Sequence, residues 1–341
     1  MVGVPHIGCE SDEWRRHFKR RTWPDLPMIP EATAAAVGFL GARALVHRAI
    51  LRGLRAPRVP HALQAADLPV APGQVREVHI PGPRGRRLFA WLVMPAAVHE
   101  GNAAIAVPAV LALHGWGGNA AMMWPVVPPL HAAGFAVLLI DARCHGRSDD
   151  ESFTSLPRFA EDIATGLAWL RRQPGIAADR LALLGHSVGA AATLLHASRQ
   201  DDVRAVISLS SFAHPREMMR RFMGEKRVPY PVLGWYVMRR VQRVIGTSFD
   251  AIAPLNNIIA QVRCPVLLVS GRQDSTVPFE DSCRLQAKSA QARLLPVAGE
   301  HDLRQALKPY TAELVEFLTQ AFDTADALQP APTRRAATLT A

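Results

Sequence analysis

The sequence predicts an α/β fold built on a mostly parallel, eight-stranded sheet flanked by helices. Three observations lead there. Eight short apolar runs recur after Val75: VREVHI, RRLFAWLVM, AVLALHG, FAVLLIDA, RLALLGHS, AVISLSS, PVLLVSG and ARLLPV. Helix-patterned segments separate most of them. From AVLALHG onward the runs are nearly continuous in apolar residues rather than alternating, as in strands covered on both faces by helices. The chain of 341 residues, 49% hydrophobic and 20% charged, is large enough to bury such a core.

Taken in order, residues 1–74 form an N-terminal extension. Its first thirty residues are rich in charge and proline and are expected to be irregular. Residues 31–55 read as a helix, with Val46, Ile50 and Leu54 on one face and Arg48, Arg52 and Arg55 opposite. That helix either packs on the main domain or lies on a membrane surface. Its apolar stretch is interrupted by Arg43, His47 and Arg48, so it does not read as a bilayer span. VREVHI and RRLFAWLVM flank PGPRG and form a hairpin. Asn119, after the glycines of HGWGGN, is placed to cap a helix running to about His131. RFAEDIATGLAWLRRQ is a second helix, ended by Pro174-Gly175. Further helices are expected over Ser187–Arg199, Phe279–Ala290 and Leu303–Phe322. The interval of about 212–260 is too long for an ordinary connection. It holds PREMMRRFM and GWYVMRRVQRVIG and reads as a helical cap inserted into a main domain of residues 75–325. The tail, residues 326–341, is poor in bulky apolar side chains and is expected to be disordered.

Composition narrows the function classes. The net charge is +10, and lysine occurs only at Lys19, Lys226, Lys288 and Lys308, so the excess is arginine. A GC-rich coding sequence produces that bias. The charge is also clustered, in Arg15–Arg21, Arg43–Arg58 and Arg216–Arg243, where it could attract anionic lipid or an acidic substrate. No aromatic-interleaved basic stripe accompanies it, so nucleic acid is not a predicted partner. Cys9, Cys144, Cys264 and Cys283 are scattered, which argues for neither a zinc site nor a disulfide framework and fits a reducing, cytoplasmic compartment. The first twenty residues hold no apolar core of a secretory signal.

The chemistry-bearing stretch is GHSVG, residues 185–189. Ser187 is either a nucleophile on a sharp strand-to-helix turn or a serine that merely occupies such a turn. Gly185 and Gly189 supply the small neighbours that a nucleophile elbow needs, and Ala190, Ala191 and Ala192 let the helix pack close. A serine hydroxyl needs a base, and the base an orienting acid. PVLLVSGRQDSTVP ends one later strand and puts Asp274 in its loop; ARLLPVAGEHD ends the next and puts His301 in its loop. Asp274 taken alone also reads as a turn cap, and His301 as a surface histidine. Asp281 falls on the following helix, Asp302 cannot easily face the ring beside it, and His186 should point away. His114 and His145 read as loop supports, and His214 lies in the cap. The backbone N–H groups of Val188 and Trp116 are the candidate oxyanion donors. Trp116, Met219, Phe222 and Trp235 are the candidate substrate contacts, although the cap residues also suit a small core of their own.

HGWGGN, DARCHGRSD, GHSVGAAAT, GRQDSTVP and GEHD, in this order, resemble the α/β-hydrolase superfamily, in particular its serine esterase and lipase-like branch. The likeness spans about Val75–Phe322. Cys144 departs from the pattern where relatives often carry glycine. The resemblance implies an α/β-hydrolase fold, transfer of an acyl group from a small-molecule ester to water by a Ser-His-Asp triad, and no metal or organic cofactor. Thioesterase, amidase or peptidase, and acyltransferase reactions use the same triad. A non-catalytic lipid- or partner-binding protein on this fold is the alternative of another class.

Overall fold

A computed structural model of the chain describes residues 31–71, 74–96 and 106–327. The first thirty residues, with the Arg15–Arg21 cluster and Cys9, and residues 328–341 of the tail lie outside the described residues. The chain divides into two compact units, Met1–Arg48 and Ala49–Ala341. Helix α1, Glu31–Gly53, belongs to both. In the first unit Val37, Phe39, Leu40 and Leu45 are exposed. Among the described residues no helix is long and apolar enough to cross a membrane. In the second unit Ile50 is buried and Leu54 half-buried, while Arg52 and Arg55 are exposed, as the helical periodicity predicts. The Thr154 N–H donates to the Leu54 carbonyl at 2.9 Å and fixes the end of this helix.

The second unit is built on one eight-stranded sheet. Its strands are β1 (Val75–Pro81), β2 (Arg87–Val93), β3 (Val107–Leu113), β4 (Ala136–Ile140), β5 (Ile176–His186), β6 (Ala205–Leu209), β7 (Val266–Gly271) and β8 (Ala292–Val297), in the spatial order β1-β2-β4-β3-β5-β6-β7-β8. The hairpin β1–β2 is antiparallel, in register from Val75 opposite Val93 to Pro81 opposite Arg87, and β2 lies antiparallel to β4. All pairs from β4 through β8 are parallel. Parallel neighbours need long crossovers. These include α2 (Val127–Ala132), α3 (Leu156–Leu170), α4 (Val188–Ala197) and α7 (Phe279–Gln286), and α8 (Thr311–Ala327) follows β8. Covered on both faces, β4, β6 and β7 are buried along their whole length, which is why these runs carry no polar alternation.

Two helix expectations are corrected. The segment after Asn119 is not one helix capped by that side chain. A 3₁₀ segment, Ala120–Val126, precedes α2, and the Asn119 amide instead donates to the carbonyls of Val59 and Pro60 at 3.0 and 3.2 Å. Pro125, Pro128 and Pro129 withhold the amide hydrogens that a continuous helix would use. The last helix begins at Thr311 rather than near Leu303, with a short 3₁₀ turn at Lys308–Tyr310 before it. Between β6 and β7 the long interval does hold helices, chiefly α5 (Pro215–Glu225) and α6 (Trp235–Ile245).

One buried cation braces the loop after β4. Arg143 has no solvent exposure and donates from Nε to Asp162 at 2.6 Å, from Nη1 to Glu151 at 3.0 Å and from Nη2 to Glu161 at 2.8 Å. Burial works against its charge, but Asp162 and Glu161 outweigh that and hold its pKa above the usual value. Asp162, also fully buried, accepts the Arg143 N–H as well at 2.9 Å. Removing Asp162 leaves Arg143 desolvated, with only Glu151 and Glu161 to answer its charge. Asp162→Ala is therefore expected to lower stability by about 3–5 kcal/mol, read as a fall in the urea midpoint at constant m. A loss below about 1 kcal/mol, the level of an exposed pair, would show that Arg143 finds other support.

Candidate active site

Three strand ends meet at one point. β5 ends at His186, and Ser187 forms the turn into α4 with φ 55° and ψ −119°. That left-handed backbone costs a residue with a side chain roughly 1–3 kcal/mol, so its surroundings must enforce it. They do so by close packing. A Cβ on Gly185 would lie 2.4 Å from the Gly189 carbonyl oxygen, and one on Gly189 would lie 2.4 Å from the His114 carbonyl oxygen. Only glycine fits at either position. The Ser187 N–H donates to the Leu209 carbonyl at 2.8 Å, tying the turn to the end of β6.

The loops after β7 and β8 bring Asp274 and His301 to the same point. His301 Nε2 lies 3.0 Å from Ser187 Oγ, and His301 Nδ1 lies 2.8 Å from Asp274 Oδ2. The carboxylate accepts the Nδ1 proton, which leaves the Nε2 lone pair facing the serine hydroxyl. Asp274 Oδ1 accepts the N–H groups of Thr276 and Val277 at 2.9 and 2.8 Å. Burial pushes the Asp274 carboxyl up, but the hydrogen bonds from His301, Val277 and Thr276 outweigh it and hold the group below its ordinary range. The N–H of Val188, first residue of α4, and that of Trp116 have no acceptor among the described residues. A cleft of about 470 Å³ covers Ser187 and His301, with Trp116, Met122, Val126, Leu209, Met218 and Leu307 in its walls.

Fold and site can now be set beside known proteins. A family model described as serine aminopeptidase, S33, matches residues 105–245. The uncharacterised protein YfhR of Escherichia coli K12 is 28% identical over 235 residues, 67% of this chain and 74% of that protein. The uncharacterised Rv2307c of Mycobacterium tuberculosis is 29% identical over 230 residues, 67% and 73% of the two chains. Among solved structures, the esterase Pf2001 of Pyrococcus furiosus superimposes with a TM-score of 0.61 at 20% identity, over 78% of this chain and 97% of that one. Est1E of Butyrivibrio proteoclasticus, with ferulic acid bound, gives 0.58 at 24% identity, over 72% and 99%. The chain has the α/β-hydrolase fold of these esterases, and its residues 105–245 match that family model.

Within that frame the rival residues have other work. Asp281 is buried on α7 and accepts from the Ala213 N–H and from Arg221 and Arg284, which ties the α5 region to α7. Asp302 pairs with Arg304 rather than with His301. His214 accepts the Arg216 N–H at the start of α5 and bonds Asp250. His186 points away from the serine and donates from Nε2 to the His301 carbonyl at 2.9 Å; burial and the neighbouring His301 push its pKa down to about 4. His114 donates from Nδ1 to the Gly115 carbonyl and accepts the Ala142 N–H at Nε2, joining the loops after β3 and β4. Cys144 adopts φ 66°, the backbone that glycine would favour, and its Sγ exchanges hydrogen bonds with the backbone of Glu151.

Of the four substrate-contact candidates, only Trp116 lines the cleft. Met219, Phe222 and Trp235 do not. Phe222 and Trp235 are 51% and 53% exposed and lie under the cations of Lys226 and Arg239. Met218, one position from Met219, turns into the cleft instead. Sequence reasoning also missed the segment 57–63. His61 bonds the buried Asp141 at 2.8 Å, and Arg58 donates to the carbonyls of Gly146 and Ser148 at 2.5 and 2.9 Å. Pro57 packs 3.1 Å from where a Cβ on Gly117 would lie, in the loop that carries Trp116. No motif marks this segment, and its proline content reads as linker.

His145 is fully buried between His114, Phe159 and Trp116, and burial together with His114 pushes its pKa down to about 3. The unfolded chain, with an ordinary value near 6.5, then takes up the proton first. The stabilisation is complete above about pH 6.5 and is lost as pH falls toward 3. Between pH 7 and about pH 4 His145 alone should cost about 3 kcal/mol. The His145→Asn variant should lose correspondingly less stability than the native chain over that range in urea titrations. Equal losses would mean that His145 is not held neutral.

Proposed function

We propose that the protein is a serine hydrolase of the esterase and lipase-like branch, cleaving carboxylic esters through an acyl-serine intermediate. The observation that carries this reading is the unbroken line of contacts from Asp274 through His301 to Ser187 Oγ. His301 takes the hydroxyl proton as Ser187 Oγ bonds to the ester carbonyl carbon. The tetrahedral oxyanion receives the N–H groups of Trp116 and Val188, helped by the positive end of α4. His301 then returns the proton to the departing alcohol oxygen, which leaves an acyl-serine. Water repeats the sequence, giving up its proton to His301 and releasing the acid. Asp274 holds the imidazole in the working tautomer and stabilises it when protonated.

An ester with an apolar acyl group suits the cleft, where Met, Val and Leu side chains stand around Trp116 beside the ion pair of Asp302 and Arg304. The family model's description as a serine aminopeptidase keeps amide cleavage as the second reading. Thioester cleavage and acyl transfer use the same atoms. Ser187 in the folded native chain should react with a fluorophosphonate probe, and Ser187→Ala should abolish both labelling and hydrolysis. Asp274→Asn should retain labelling at a much reduced rate, with kcat down by about 10⁴. A panel of p-nitrophenyl esters of rising length, acyl-CoA and aminoacyl amides ranks the substrate classes. No labelling of Ser187, with hydrolysis unchanged in Ser187→Ala, would overturn the serine hydrolase reading.

Location is a second part of the proposal. Val37, Phe39, Leu40 and Leu45 are exposed on a helix that also carries Arg43, Arg48 and Arg52. Apolar side chains beside arginines suit contact with an anionic lipid surface. Replacing Phe39 and Leu40 together by Ser should lower sedimentation with phosphatidylserine vesicles and leave hydrolysis of soluble esters as it was. Undiminished sedimentation would remove the membrane reading.

A further inference from the structure

A second cavity, of about 430 Å³, adjoins the cleft over Ser187. Met122, Pro125, Asp302 and Arg304 line both, so the two share that boundary. One wall of the second chamber is the segment Val59, Pro60, Ala62 and Leu63, and another is Ala121, Met122, Trp124 and Pro125. The site of the proposed reaction thus borders a chamber walled in part by segment 59–63, which belongs to no motif.

That wall is held firmly. The Asn119 amide donates to the carbonyls of Val59 and Pro60, and His61 and Arg58 tie the same segment to the loop after β4. The chamber is also close to neutral. Arg304 Nε donates to Asp302 Oδ1 and Oδ2 at 2.8 and 2.9 Å, so the cation and the anion at the boundary cancel one another. A mostly apolar surface whose polar members are Asn119, Gln305 and the self-paired Asp302 and Arg304 selects an uncharged arm rather than a carboxylate or phosphate.

The direction of the reaction decides which arm. His301 must hand its proton to the departing oxygen, so the alcohol half of the ester leaves over the His301 loop. Asp302, Arg304 and Gln305 continue that loop directly into the second chamber. We infer that the second chamber receives the alcohol arm of the substrate and that the arm is a long, uncharged, apolar chain. The inference rests on the ester hydrolase reading given above.

Two filling variants test it from opposite walls. Ala62 and Gln305 are exposed at the surface, so Ala62→Phe and Gln305→Phe should not disturb the core. With acetate esters of methanol, hexanol and decanol, the native chain should favour the longer alcohols. Each variant should lose about tenfold in kcat/KM toward decyl acetate, the equivalent of about two methylenes denied burial, and stay within about twofold toward methyl acetate. The methyl ester series from acetate to decanoate should be unchanged. A loss in the acyl series instead, an equal loss for every ester, or no loss at all would each overturn the assignment. Calorimetric titration with hexan-1-ol reads the chamber without turnover. Binding by the native chain that weakens in both variants supports it, and binding that is absent or unaffected overturns it, even if no ester is cleaved. Failure of the ester hydrolase reading shows separately, as absent Ser187 labelling.

Discussion

The left-handed backbone of Ser187 is the constraint on which the rest of the site depends. A residue with a side chain at φ 55° is tolerated only where the chain on both sides leaves it no alternative. Here the end of β5, the start of α4 and the loop after β3 approach so closely that Gly185 and Gly189 have no room for a Cβ. That one contact has several consequences. It lifts Ser187 Oγ out of the sheet toward His301, aims the first N–H of α4 at the same space, and brings the Trp116 loop alongside. A longer side chain at either glycine would separate the hydroxyl from its donors at once.

Close approach of backbones brings buried polar groups with it, and each has to be answered. Asp141, fully buried at the end of β4, accepts the N–H groups of Ala120 and Arg147 and bonds His61. A Cβ on Gly146 would fall on that carboxylate, which explains glycine at φ 45° there. Arg143 is answered by three carboxylates, and His114 by a carbonyl and an N–H. Burial holds the rings of these supports, His114, His145 and His186, below the ordinary imidazole value. Perturbed titration marks a site region here, while geometry alone separates the ring that faces a hydroxyl from the rings that hold loops.

This division explains what was legible in the sequence. The eight strands were readable because strands covered on both faces must be apolar throughout, and the hairpin because PGPRG separates two such runs. Ser187, Asp274 and His301 were readable because each follows the end of a strand at a turn that only certain residues can form. Asn119 was misread because a cap and an amide that ties a distant segment have the same local look; only the tertiary partners, Val59 and Pro60, tell them apart. Phe222 and Trp235 were misread for a related reason. A helix with strong amphipathic patterning predicts that one face is covered, but not which aromatic lies beneath a cation at the outer surface. The segment 57–63 gave no signal because its contacts are to backbone carbonyls and to one buried carboxylate, which impose no periodicity.

Chemistry and selectivity therefore place different demands on sequence. Charge that develops on an oxygen during reaction must meet donors at a fixed distance, since an electrostatic contact loses its value when misplaced by an ångström. Such positions admit few residue types, and motifs result. An apolar arm of substrate asks only for volume and the absence of unpaired charge, which Val, Leu, Pro, Ala or Met can supply interchangeably. The walls around Ser187 follow this rule. Where the oxyanion would form, the chain reads HGWGG and GHSVG; where the arm would lie, it reads as a proline-containing linker folded back on the loop after β3. On the proposed assignment segment 57–63 would form part of the binding surface while sharing no motif with the reactive loops, and variation there would alter which ester is taken without touching how it is cleaved.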